Sequence, residues 1–250
     1  MPRQPAPHRQ SQVLGIIMLD ARFPRIPGDV GNANTWPFPV KYHVVSGAEP
    51  WRIMGSSPDP ALLEPFVQAA RELEAFGVGA ITTSCGFLAP FQDQIAGAVS
   101  IPVVTSALMM VPVAYRMTGS VKPVGILTER ASYMTEAHFR GAGWSSKDTE
   151  VRVHGMPDGA YFPDVFIGNA PRADLALLER DMRQLAECAV KKTPEIGALV
   201  FECVNFVPWS HMVHEITGLP IFHIVNAAEM AAAASFRRSY DGIRWRSSQP

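Results

Sequence analysis

Apolar and polar positions along the chain fall into two blocks that repeat one plan. Val13–Leu19 (V-L-G-I-I-M-L) is a continuous apolar run, the pattern of a strand buried on both faces of a parallel sheet. Residues 23–41 carry Pro24, Pro27, Gly28, Gly31, Pro37 and Pro39, which predicts a long ordered loop or lid. A helix is expected from about Asp59 to Phe76, with Ser57 or Asp59 as cap and Gly77 as terminator. Strand Ala80–Ser84 then ends at Cys85, a short helix follows, and Val103–Thr105 reads as the next strand.

After a helix near Ser106–Met117 the plan restarts. Val124–Thr128 (V-G-I-L-T) echoes the first strand, with Gly125 in the place of Gly15. Residues 131–140 read as helix, Val151–Val153 as a short strand, and residues 155–172 as a second Pro/Gly-rich loop. Asp174–Lys192 predicts a helix stopped by Pro194, Ala198–Glu202 a strand ending at Cys203, and Ile221–Val225 the last strand. Asn226–Tyr240 reads as an Ala-rich closing helix, and residues 1–12 and 241–250 as disordered tails. Strands alternating with helices predict an α/β fold of two pseudo-symmetric lobes, each a parallel sheet flanked by helices. The expected lobes are 13–105 plus 222–240, and 106–221. In such sheets ligands bind beyond the carboxyl ends of the strands, so the active site is expected in the cleft between the lobes.

The repeat has five landmarks in one register. Gly79 and Gly197 open the strands, and Cys85 and Cys203 follow six residues later. Pro90 and Pro208, Phe91 and Trp209, then Pro102 and Pro220 complete the series, each pair 118 residues apart. A lone thiol at a strand end is usually a small buried hydrophobe. Packing alone rarely calls for the same thiol in both copies, which marks Cys85 and Cys203 as a functional pair. Cys188, mid-helix in L-A-E-C-A-V, has no counterpart and reads as a core sulfur.

Two thiols on opposite sides of one carbon suit a stereochemical inversion. One, as thiolate, removes a proton from a carbon acid, and the other, as thiol, returns one to the opposite face. The carbanion needs donors aimed at the neighbouring carboxylate or carbonyl. The turns after each thiol offer the backbone N–H groups of Gly86, Phe87, Val204 and Asn205. Helix N-termini also lower thiol pKa values. Asp20, closing the first strand, is a candidate to orient a substrate amine or a thiol. Glu202 is set aside, because strand alternation sends it to the face opposite Cys203. His211 and His214 lie off the apolar face Trp209, Met212, Val213, Ile216, so no metal site is expected. His223, matching Thr105 in the repeat, is a candidate to support the site from behind. No Walker or G-x-G-x-x-G sequence occurs, and no cofactor is expected.

The two strand-end cysteines, the repeat and the G-I-I-M-L-D opening resemble the aspartate/glutamate/hydantoin racemase superfamily over roughly residues 13–240. That superfamily also includes maleate cis–trans isomerases and arylmalonate decarboxylases. The resemblance implies two lobes with the site between them, Cys85 and Cys203 as acid and base, and a substrate carboxylate bound near Thr128 and Tyr133. The chain departs from the usual Cys-Asn-Thr and Cys-Thr, reading C-G-F and C-V-N, which removes polar side chains and points away from a plain glutamate or aspartate. The leading expectation is a cofactor-independent racemase or epimerase acting on a small carboxylate or hydantoin-like cyclic amide. Open beside it are a cis–trans isomerase or decarboxylase with a nucleophilic Cys, and a small-molecule binding protein without turnover.

Composition narrows the partners. A net charge of -1 gives no reason to expect nucleic acid or an anionic membrane surface. No apolar run approaches a membrane span, and three cysteines without an export signal suit a reducing cytoplasm. Homo-oligomerisation is left open.

Overall fold

The computed structural model describes residues 12–236. The tails expected to be disordered, apart from Gln12, and the end of the expected closing helix lie outside the described residues. Two four-stranded parallel sheets form the frame. The first has the order β2-β1-β3-β4, with β1 Leu14–Leu19, β2 Val40–Val45, β3 Ala80–Thr83 and β4 Val103–Val104. The second repeats it as β6-β5-β7-β8, with β5 Val124–Thr128, β6 Val151–Gly155, β7 Ala198–Phe201 and β8 Ile221–Phe222. The fold is therefore α/β with two lobes of one plan. The centre strands β1, β3, β5 and β7 are buried at every position, which is why they read as unbroken apolar runs.

Nine helices accompany the strands among the described residues: α1 Pro50–Ile53, α2 Leu63–Phe76, α3 Gln92–Gly97, α4 Val111–Met117, α5 Glu136–Gly141, α6 Tyr161–Phe166, α7 Leu175–Lys192, α8 Ser210–Thr217 and α9 Ile224–Ser235. The long outer helices close a separate apolar layer on each lobe. Phe66, Ala70 and Leu73 of α2 pack with Ile17 and Ile81. Leu178, Met182 and Leu185 of α7 pack with Leu199 and Phe201. Gly15 and Gly125 make this packing close: a Cβ on Gly15 would press on Val78 and Leu73, and one on Gly125 on Leu199 and Ile196. Truncating Leu185 to Ala would cost about 2–5 kcal/mol.

A third layer joins the lobes. Leu14, Ile16 and Ala80 of the first sheet share one core with Val124, Ile126, Ala198 and Val200 of the second, filled in by Leu108, Val111, Ile224 and Ala228. In this layer α4 packs on β5 and β7, while α9 packs on β3 and β4.

Four elements differ from the sequence reading. Val40–Val45 is an edge strand paired in parallel with β1, where the Pro/Gly count suggested loop to residue 41. Its face is mostly half-buried, so it lacks a long apolar run. The second Pro/Gly-rich segment contains α6, whose Phe162, Val165 and Phe166 are buried. Residues 131–140 break into a single turn, Ala131–Tyr133, followed by α5. The last strand stops at Phe222, and His223 already caps α9.

Candidate active site

Both strand-end cysteines reach the same cavity. Each follows a centre strand and caps a tight helical turn, Gly86–Phe91 after Cys85 and Val204–Trp209 after Cys203, which leads into α3 and α8. The shared Pro (90 and 208) sits inside each turn. The cavity, about 350 Å³ including the open solvent at its mouth, is lined by the apolar residues Leu19, Phe23, Pro50, Met54, Phe87, Phe166 and Ile167 together with Ser84, Cys85, Gly86, Glu129, Glu202, Cys203, Val204 and Asn205. Cys85, Cys203 and Cys188 are all free thiols. Of the sequence candidates, Cys85, Gly86, Phe87, Cys203, Val204 and Asn205 line this space.

The others stand back from it. Asp20 accepts from the Gly47 amide at 2.9 Å and tightens the turn after β2. Tyr133 is exposed. Thr128 is buried and donates its hydroxyl to Glu202 Oε2 at 2.7 Å, so it acts through that carboxyl. His223 is pushed down to about 4 by burial, with Nδ1 unpartnered. His211 is exposed beside Glu215, and His214 bonds the Leu219 carbonyl. Cys188 is half-buried on α7, beside Arg152, His154 and Lys192 in a surface groove, and is not the core sulfur its sequence context suggested. Among the described residues no cluster of three His, Cys, Asp or Glu is arranged to hold a metal ion.

The sequence reading missed the two carboxyls. Glu202 lines the cavity, contrary to the alternation argument, because β7 ends at Phe201 and the period of two does not extend past the last paired residue. Glu129, one residue beyond β5, stands where the first lobe has Leu19. Glu202 likewise replaces Ser84, whose hydroxyl accepts from the Leu19 amide at 2.9 Å. The pseudo-symmetry therefore holds for the thiols and fails for the acids, both of which come from the second lobe. A usable signal was present: T-E at 128–129 and E-C at 202–203 each put an acid at the carboxyl end of a buried centre strand.

Gly86 makes the arrangement possible. A Cβ there would collide with the backbone carbonyl and Oε1 of Glu202. The departure from Cys-Asn-Thr to C-G-F thus opens the room that Glu202 fills.

Each ionisable group is shifted by burial first. Glu202 is pushed up to about 8, with the Thr128 hydroxyl pulling down and the charge of Glu129 pushing further up. Burial raises Glu129 to about 7, against the downward pull of the Cys203 thiol, Arg130 and the Asn205 side chain. Cys203 donates its thiol proton to Glu129 Oε1 at 3.0 Å. Both thiols are held well above the usual range by burial and then by a carboxylate, Glu202 for Cys85 and Glu129 for Cys203. The amides of Phe87 and Asn205 oppose this at their respective sulfurs. Among the described residues, none that lines the cavity is a lysine or arginine.

A segment following β1 forms part of the wall. Phe23 is 5% exposed and packs edge-on to Phe166 with ring centroids 4.8 Å apart. The Arg22 amide donates to Asn169 Oδ1 at 2.6 Å, tying the segment to the second lobe. Arg25 sits over the Phe23 ring and pairs with buried Asp29 at 3.0 Å.

No protein-family model matches the chain. It is 27% identical over 235 residues to the dimethylsulfoniopropionate lyase of Durusdinium sp. clade D, covering 91% of this chain and 77% of that protein. It is 28% identical over 229 residues to dimethylsulfoniopropionate lyase 7 of Emiliania huxleyi, covering 88% of this chain and 66% of the relative. The chain spans just under two thirds of that relative's length. Among solved structures, a variant of arylmalonate decarboxylase superposes with a TM-score of 0.57 at 16% identity, covering 92% of this chain and 97% of that one. Glutamate racemase from Aquifex pyrophilus superposes with a TM-score of 0.52 at 16% identity, covering 89% and 82%. The fold is the two-lobed fold of the aspartate/glutamate racemases and arylmalonate decarboxylase. Among the described residues no helix is long and apolar enough to cross a membrane.

Proposed function

We propose that this chain is a cofactor-independent carbon-acid enzyme that removes the proton beside a small substrate's carboxylate and lets the carbanion expel a β leaving group. The substrate class proposed is a β-sulfonio carboxylate such as dimethylsulfoniopropionate. The observation that carries this is the inequality of the thiols: among the described residues Cys203 has a hydrogen-bonded carboxylate, Glu129, and Cys85 has none. An inverting enzyme must run equally from either face, whereas an elimination needs one base. The sequence relatives, which match along nine-tenths of the chain, support the same direction.

In the reaction, Glu129 takes the Cys203 thiol proton, and the thiolate removes a proton from the carbon next to the carboxylate. The electron pair left behind becomes the C=C bond, and the C–S bond breaks with its electrons staying on sulfur. Dimethyl sulfide leaves as a neutral molecule and acrylate remains. The substrate's proton restores the Cys203 thiol, and loss of the one proton on Glu129 to solvent resets the site. The sulfonium charge suits a cavity with carboxyls and the aromatic rings of Phe23, Phe87 and Phe166 and, among the described residues, no competing lysine or arginine. Amides at the turns after the thiols are the backbone donors available to the carboxylate.

A second reading keeps the two-thiol inversion, because both cysteines, one from each lobe, open into one cavity. Racemisation of an amino acid or a hydantoin would then use Cys85 and Cys203 alternately. One experiment separates the readings. The protein is incubated in deuterated water with dimethylsulfoniopropionate, and separately with single-enantiomer amino acids and hydantoins. Headspace gas chromatography for dimethyl sulfide and polarimetry are followed together. Dimethyl sulfide with matching acrylate supports the lyase; loss of optical rotation without it supports the racemase.

A further inference from the structure

We infer that Glu202 enters the reaction protonated, and that its Oε1–H is the donor that holds the substrate carboxylate while negative charge builds on it. This rests on the reading that the substrate is a carboxylate. Two buried carboxyls share the cavity, and among the described residues no lysine or arginine lines it. If both were ionised they would repel each other and the incoming carboxylate, and a buried charge without a partner is costly. One of them must therefore be neutral. Glu129 is occupied as the acceptor of the Cys203 proton, and that role grows stronger as it ionises. Glu202 has the complementary arrangement. Its Oε2 accepts the Thr128 hydroxyl at 2.7 Å, which leaves Oε1 to carry the proton. That Oε1 is buried and has no hydrogen-bond partner, and it lies against Gly86 beside Cys85. An unpaired buried polar atom at a cavity wall is costly until a ligand satisfies it.

The charged and titratable groups around Glu202 agree with this protonation. Glu129 faces it from the same lobe and raises its proton affinity, while Cys85 and Cys203 stay neutral beside it. Arg130 acts on Glu129, and Arg25, the weakest influence on Cys85, is paired with Asp29. A neutral carboxylic acid that donates to a developing oxyanion is a known means of stabilising a carbanion.

The test uses two substitutions at one position and a readout that needs no turnover. Glutamine keeps an N–H donor in the place of the acid, and alanine removes it. With dimethylsulfoniopropionate, E202Q is expected to retain kcat/KM within about tenfold, and E202A to lose about 10²–10³-fold, the range for one oxyanion donor. Equal losses in the two variants would overturn the proposal, because a working carboxylate is not replaced by an amide. T128V, which removes the hydroxyl that lowers the Glu202 pKa, is expected to move the alkaline limb of the rate profile to higher pH. An unmoved limb would count against the assignment. Infrared difference spectra at neutral pH are expected to show a protonated-carboxyl C=O band that E202Q lacks and that shifts when propionate is added. Absence of the band, or no shift, would also overturn the proposal. The infrared result stands even if dimethylsulfoniopropionate is not turned over, in which case the reaction reading fails on its own.

Discussion

Cys203 gives its thiol proton to Glu129 Oε1 at 3.0 Å, across a register of 74 residues and between two strand ends of one sheet. This is a thiol with a built-in proton acceptor, and among the described residues Cys85 has no equivalent. The fold supplies two matched thiols, and the second lobe then gives one of them a base.

Removing either member of this pair should cost about as much as removing both. C203S and E129Q are each expected to lower kcat by about 10²–10⁴-fold, and the double variant by little more, because the two groups move one proton together. The wild-type rate should rise as pH passes about 7, where Glu129 ionises, and fall above about 8, where Glu202 loses its proton. The two limbs belong to the coupled pair. Steady-state rates across pH for the three variants check this; an additive double variant would separate the two residues.

Much of this was readable from the chain. The duplicated Gly, Cys and Pro positions fix the strand ends, because each Cys caps the same turn and each Pro lies within it. The centre strands were visible as apolar runs because both their faces are covered. Edge strand β2 was not, since partial exposure dilutes its pattern. The acids were the harder part. Strand periodicity misplaces Glu202 because the strand has already ended there, and the first-lobe counterparts of Glu129 and Glu202 are Leu19 and Ser84, so the repeat marks neither acid. The likeness of the halves marks the thiols, whereas the acids belong to their difference.

Cys85→Ala separates elimination from inversion. If one base suffices, the variant keeps measurable lyase turnover, lowered by about tenfold through lost packing and positioning, while Cys203→Ala is inactive. A two-thiol inversion instead needs both, and each single variant would exchange the α-hydrogen of one enantiomer only. Mass spectrometry of deuterium incorporation distinguishes these patterns. C188A serves as control: the thiol is half-buried and outside the cavity, so activity should be unchanged and stability altered by no more than about 0.5–1 kcal/mol.

Phe23 closes the cavity from a segment tied to the other lobe through Asn169. F23A should admit water and remove one aromatic face, raising KM and lowering kcat together. Solvent protons would then compete for the carbanion. The check is the ratio of deuterium exchange into recovered substrate to product formed in deuterated water. That ratio should rise in F23A, and an unchanged ratio would show that the loop does not shield the reaction.

Burial of Glu202 should also be visible as a stability that depends on pH. In the folded chain its carboxyl is held at about 8, above the ordinary 4.5. As pH rises, the unfolded chain therefore releases this proton first, while the folded chain retains it. The contribution to stability is complete below about 4.5, declines between the two values, and is lost once pH passes about 8. E202Q cannot titrate and escapes this decline. Its melting temperature should match the wild type near pH 4.5 and exceed it at pH 9, by about 2–4 °C for each kcal/mol relieved in a chain of this size. Glu129 remains in both proteins, so its own titration cancels in the comparison to the extent that the two acids are independent. Differential scanning calorimetry at several pH values measures the divergence. A constant difference between the two proteins across this range would mean that Glu202 keeps an ordinary carboxyl pKa, and would remove the basis for a protonated acid in the cavity.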